Sequence, residues 1–222
     1  MENKSTRQEY IHDLAELQAK VIRMGELVTA AIERSSQALA AQDRELARQI
    51  MREDDAIDDL TVEIEDFSLL LIAKQQPIAH DLRVIATSFK IASDLERIGD
   101  HAFDIAKTAK ALSAEKQPVE LLYTPQLAKT ALDMVRRAMQ AYQQADIVLA
   151  EDVCRQDDVL DELFAKSFTE LSGTAISDVV RARQQAQLLF VARYLERIGD
   201  HATNIAEWVI YLETAERVRK LR

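Results

Sequence analysis

The octapeptide LERIGDHA at residues 95–102 recurs letter for letter at residues 195–202. A duplication at that distance constrains the fold more than any other feature, because a chain that writes one unit twice is built from two copies of one structural module. The likeness reaches beyond the octapeptide. Ala92, Ile105 and Ala106 answer to Ala192, Ile205 and Ala206, and MREDDAIDDL at 51–60 lies over CRQDDVLDEL at 154–163. The offset falls from 103 upstream to 100 at the octapeptide, so the intervening turn is three residues shorter in the second copy.

Only helices suit such a module. The 222 residues hold four Gly and three Pro, and no segment alternates polar and apolar residues for long enough to make a sheet. The breakers are few: AAQD at 40–43, where Asp43 can cap a helix, KQQP ending at Pro77, AEKQPVELLYTP at 114–125, and SGT around Gly173. They cut the chain into about six helices. The break holding Pro118 and Pro125 divides it into residues 1–117 and 118–222, each a three-helix repeat. The expected fold is all-α, a tandem pseudo-repeat of two three-helix bundles.

Lys and Arg number 28 against 38 Asp and Glu, a formal charge of −10, which repels phosphate backbones and argues against a nucleic-acid partner. Bound cations would relieve that self-repulsion. Cys154 is alone, so no disulfide forms within the chain, as suits a reducing compartment. The first residues, MENKSTRQEYIHDLAELQ, hold no apolar signal segment, and the longest apolar runs, LLLIA at 69–73 and LLFVA at 188–192, fall short of the roughly 20 residues that span a bilayer. The expected location is the cytoplasm, with any membrane association indirect, through a partner.

On a helix, residues four apart lie about 40° from one another around the axis, so Glu96, Asp100 and Asp104 form one narrow stripe. Glu196, Asp200 and Asn204 repeat it. Ile91, Leu95, Ile98, Ala102 and Ile105 gather on the other side, which turns the carboxylates outward. The preceding helix offers Asp54 and Asp58, answered by Asp157 and Asp161. Asp55 and Asp59, answered by Asp158 and Glu162, sit about 100° further from the apolar side, so the first pairs are the ones placed to meet the octapeptide stripe. Like charges at this spacing destabilise a helix by about 0.2–0.5 kcal/mol per pair, and two stripes brought together cost more. Either ion pairs with Arg97 and Arg197 or multivalent cations offset the cost. Gly99 and Gly199, inside the motif, mark a close approach of something to the backbone. His101 and His201 point about 100° away from the acids and suit interhelical hydrogen bonding better than metal ligation.

Two copies of ERIGDHA in tandem three-helix units, with QQPIAHDLR at 75–83 between helices, resemble the PhoU family of phosphate-signalling proteins across essentially the whole chain. The resemblance implies a negative regulator of phosphate uptake and of the phosphate-starvation response. It would act by contacting the ATPase subunit of a phosphate ABC transporter and a phosphate-sensing histidine kinase. It also implies a homodimer and metal ions on the bundle surface, held by Glu/Asp-x-x-x-Asp motifs. The matching positions are Glu96 and Asp100, Glu196 and Asp200, and Asp54, Asp58, Asp157 and Asp161 on the neighbouring helices, with Asp104 and Asn204 one turn on. The family's Asn is present only at 204, so the first site is expected to be the more anionic. Oxygen-only ligation admits Fe, Zn, Mn or Mg.

Two other readings compete. A metal-free helical scaffold would need no cation, since an acidic face is most often merely solvated. A carboxylate-bridged di-metal enzyme would need Glu-x-x-His aimed into the bundle, and the residues three after Glu96 and Glu196 are glycines. No nucleophile triad or glycine-rich phosphate loop is present in the sequence.

Overall fold

The computed structural model describes residues 2–115, 120–173 and 178–218, with side chains from residue 7 onward. They form seven helices: α1 (Glu2–Ala41), α2 (Arg44–Glu53), α3 (Asp55–Gln75), α4 (Ala79–Leu112), α5 (Thr124–Gln144), α6 (Ile147–Gly173) and α7 (Val179–Thr214). Among the described residues there is no strand. The seventh helix arises because the hydrogen-bond ladder breaks at Asp54, although its backbone stays helical at φ −61° and ψ −38°. Glu53, Asp54 and Asp55 crowd three carboxylates there, and a negative charge at the end of α2 opposes the helix dipole. The second copy has Gln156 in place of Glu53, and α6 runs through unbroken.

The turns follow the chemistry of the breakers. Asp43 accepts from the backbone N–H groups of Glu45 and Leu46, both at 3.0 Å, and caps α2. Its counterpart Asp146 accepts from Leu149 N at 3.0 Å ahead of α6. The residues before these caps, Gln42 and Ala145, both adopt the left-handed conformation, at φ 50° and 54°. The helix-joining turn is thus duplicated along with the helices. Pro125 sits in the first turn of α5, where a missing N–H is not needed. Pro118, the 117/118 boundary and residues 174–177, where the shorter turn is expected, lie outside the described residues.

α4 shows why these segments bundle. Its buried residues Val84, Ser88, Ile91, Leu95, Ile98, Ala102, Ile105, Ala109 and Leu112 alternate spacings of three and four, the period of a helix packed lengthwise on others. A second buried row, Ile85, Ala92, Gly99 and Ala106, repeats every seven residues and is mostly small. α4 therefore packs on several sides, against α1, α2 and α3 of its own repeat and against α7 of the other. α7 does the same with α5, α6 and α4, while α1 meets α5. One apolar core runs from Leu17 and Met24 in α1 through Leu95 in α4 to Ile198 and Ile205 in α7. Each fully buried Leu or Ile contributes about 1.5–3 kcal/mol. Cys154 lies half-buried at the edge of this core.

Candidate functional site

The octapeptide glycines bring the acid-bearing helices together. A Cβ at Gly99 would lie 3.2 Å from Ile57 Cδ1 and 3.8 Å from Asp54 Oδ1, and one at Gly199 would lie 2.1 Å from Leu160 Cδ2. Ile57 and Leu160 are the same position in the two copies, so each glycine admits one aliphatic side chain of the preceding helix. What approaches the motif backbone is a neighbouring helix, and the approach carries Asp54 to the octapeptide.

In the first repeat this makes a seam of like charge between the α2–α3 junction and α4. Burial raises the carboxyl of Asp54, and Asp58, Asp100, Asp55 and Glu96 raise it further, to about 6. Burial and then Asp100 raise Asp58, and burial and Asp100 raise Glu96 against the opposing charge of Arg97. Arg97 bridges Glu96 at 3.4 Å and Asp100 at 3.3 Å. In the second repeat, burial, Asp200 and Asp161 raise Glu196. Its partner is Arg193, through one oxygen, in place of the expected Arg197. The other oxygen, Oε2, is buried with no hydrogen-bond partner. Glu196 is only 9 % exposed. The carboxylates therefore flank the packed faces, whereas the spacing alone turned them straight to solvent.

Positions 104 and 204 face a different way. Asn204 donates from Nδ2 to Asp94 Oδ1 of α4 at 3.1 Å, and His201 Nδ1 meets the same oxygen at 2.9 Å. Asp104 is raised by burial, and Tyr194 of α7 is raised by burial first and then by Asp104. Both positions thus look onto the junction between repeats, where His101 stacks on Tyr194 at 5.7 Å and lies 5.9 Å from His201. His201 hydrogen-bonds across the helices as its placement indicated, whereas His101 meets Tyr194 and His201 through its ring and its Nδ1 is buried without a hydrogen-bond partner. Asp94, Tyr194 and Arg193 escaped the sequence reading, because positions 94 and 194 hold Asp and Tyr and positions 93 and 193 hold Ser and Arg. A search for repeated residues passes over positions where the copies differ.

Hard or borderline cations suit this donor set: carboxylates held partly out of water beside one another, one with an unpartnered oxygen. Among the described residues no three His, Cys, Asp or Glu side chains stand converged on a common point. A cation at either seam thus requires Asp58, Asp100 and their counterparts to turn inward about their side-chain torsions. No helix among the described residues is long and apolar enough to cross a membrane.

A family model, that of the PhoU domain, matches residues 21–109 and 124–209, one match on each repeat. The chain belongs to the PhoU family. It is 42% identical over 214 residues to a protein of Clostridium acetobutylicum named as a phosphate-specific transport system accessory protein PhoU homolog, covering 96% of this chain and 98% of that one. A homolog of the same name from Aquifex aeolicus is 40% identical over 93% of this chain and 94% of its own length. The crystal structure of PhoU from Pseudomonas aeruginosa superposes with a TM-score of 0.89 at 32% identity, covering 93% of this chain and all of that one. That of the phosphate transport system regulatory protein PhoU from Streptococcus pneumoniae gives 0.87 at 29% identity, over 95% and 99% of the two chains. This PhoU-family chain matches those two structures over 93% and 95% of its length.

Proposed function

We propose that this chain is a regulatory adaptor of phosphate homeostasis and not an enzyme. In this reading it restrains uptake by contacting the ATPase subunit of a phosphate ABC transporter, and restrains the starvation response by contacting the phosphate-sensing histidine kinase. It works in the cytoplasm as a homodimer and reaches the membrane only through those partners. Cations of the Fe, Zn, Mn or Mg class sit in the two seams, held by Asp54, Asp58, Glu96 and Asp100 in one and by Asp157, Asp161, Glu196 and Asp200 in the other. They fix the packing of α3 on α4 and of α6 on α7, and with it the surface offered to partners. Full-length similarity to proteins named as accessories of phosphate-specific transport supports the role. What supports the metal part is the crowding of partly buried carboxylates at the first seam, where burial first and then four neighbouring acids raise Asp54.

A metal-free scaffold is favoured by one observation, the ion pairs of Arg97 and Arg193 that already offset part of the charge. Pull-down of the tagged chain from cells grown with abundant and with scarce phosphate tests the role. The transporter ATPase and the kinase should be recovered, with the amount depending on phosphate; recovery of neither in either condition contradicts it. Alanine at Glu96, Asp100, Glu196 and Asp200 together separates the two readings. The adaptor with cations loses partner binding, and the scaffold retains it.

A further inference from the structure

The two seams carry matching acids and differ in the cation that faces them. Arg193 of α7 pairs with Oε1 of Glu196 on its own helix, and its guanidinium carbon lies 5.9 Å from the ring centre of Phe164 on α6. One side chain therefore ties α6 to α7, by charge on one side and by cation–π attraction on the other. The first repeat cannot make this tie, because Ser93 stands where the second has Arg193, and Thr61 where it has Phe164. There Arg97 pairs with Glu96 and Asp100 of its own helix, and its side chain is 59 % exposed. The tie leaves Glu196 half satisfied: Oε2 is buried with no hydrogen-bond partner, on a carboxyl that lies beside Asp200 and Asp161. A buried carboxylate oxygen without a partner costs free energy. Beside two further carboxylates, the group that satisfies it best is a cation.

Building on the cation reading of the seams, we infer that Arg193 is the resident counter-ion of the second seam, and that a divalent cation enters there in competition with it, on the free oxygen of Glu196 with Asp200 and Asp161. Loading this seam exchanges one tie between α6 and α7 for another. The strength of the arginine tie sets the cation concentration at which the exchange occurs. Arg193 is thus a positioning residue that tunes the site without ligating the ion.

Mn(II) is the probe, titrated into the full chain and read from the electron paramagnetic resonance signal of the free ion. Glu96→Gln with Asp100→Asn silences the first seam, so that the titration reports the second. In that background Arg193→Gln should bind Mn(II) about tenfold tighter or more, because a positive charge beside the ligand is gone. Arg193→Lys keeps the charge and should stay within about threefold of the Arg193 chain. The reciprocal change uses an exposed position: with the second seam silenced by Glu196→Gln and Asp200→Asn, Ser93→Arg should weaken Mn(II) at the first seam about threefold or more. Unchanged or weaker binding in Arg193→Gln, Arg193→Lys as tight as Arg193→Gln, or unchanged binding in Ser93→Arg would each overturn the role of Arg193 and leave the cation reading standing. No Mn(II) on any of these chains, Arg193→Gln included, would overturn both.

Discussion

Gly199→Ala probes the way the motif closes its seam. The added Cβ would lie 2.1 Å from Leu160 Cδ2 and 3.5 Å from Met134 Sδ. Carbons rest about 3.5–4.0 Å apart, and Leu160 is fully buried in the core, so its side chain must repack among its neighbours to make room. Overpacking of this kind costs about 1–3 kcal/mol, from which helix propensity returns about 1 kcal/mol when Gly becomes Ala. The net expectation is a destabilisation of up to about 2 kcal/mol, read as a lower urea midpoint at unchanged slope. At Gly99 the same atom would meet Ile57 Cδ1 at 3.2 Å, which a shift of a few tenths of an ångström relieves. Gly99→Ala should therefore be neutral or stabilising by up to about 1 kcal/mol, since the same helix-propensity gain meets a smaller overlap. In a Leu160→Ala background the obstruction is gone, and the double-mutant cycle should show a coupling of about 1 kcal/mol or more. Equal effects at 99 and 199, or additivity of Gly199→Ala with Leu160→Ala, would refute the reasoning.

Three further outcomes follow from the polar groups. Asp54, pushed up to about 6 mainly by burial, holds its proton in the folded chain at a pH where the unfolded chain has lost it, so its stabilising contribution is present below about pH 4 and gone above about pH 6. The shift of about two units is at most about 3 kcal/mol, and about 1 kcal/mol after screening of this partly exposed group. Asp54→Asn should therefore raise metal-free stability at pH 7 by about 1 kcal/mol, measured by urea unfolding in chelator, and a loss would count against the crowded seam. His101 carries the opposite sign: burial first, then His201, lower it to about 4, so stability falls as pH drops from about 6.5 toward 4. Its imidazole resonances should stay those of the neutral ring above about pH 5.5, and titration near 6.5 would contradict the buried placement. Asp94→Ala removes the acceptor of His201 and Asn204 and should cost about 1–3 kcal/mol in urea unfolding, whereas no change would mean the junction is held by apolar contacts alone.

The repeat and the helices were legible because they rest on period and on a shortage of breakers, both written locally in the chain. So was the pairing of Asp54 and Asp58 with Glu96 and Asp100, since helical angles place each pair beside an apolar face. The interruption at Asp54 was not legible, for it depends on a balance between helix continuity and three adjacent carboxylates that periodicity does not weigh. The direction of Asp104 and Asn204 was hidden for another reason. Angles on a single helix do not say which of several neighbours packs against a given flank, and α4 and α7 each touch several helices. The junction between repeats, with Asp94 opposite His201 and Tyr194 opposite His101, is where the copies have diverged. Only three-dimensional proximity reveals it.

The measurement closest to the centre of the account is metal content by inductively coupled plasma mass spectrometry. It is made on untagged protein supplied in turn with Fe, Zn, Mn and Mg, alongside the chain bearing alanine at Glu96, Asp100, Glu196 and Asp200. Metal retained through dialysis by the native chain and lost from the variant is the predicted result. A native chain that retains nothing above trace for any of the four would contradict it.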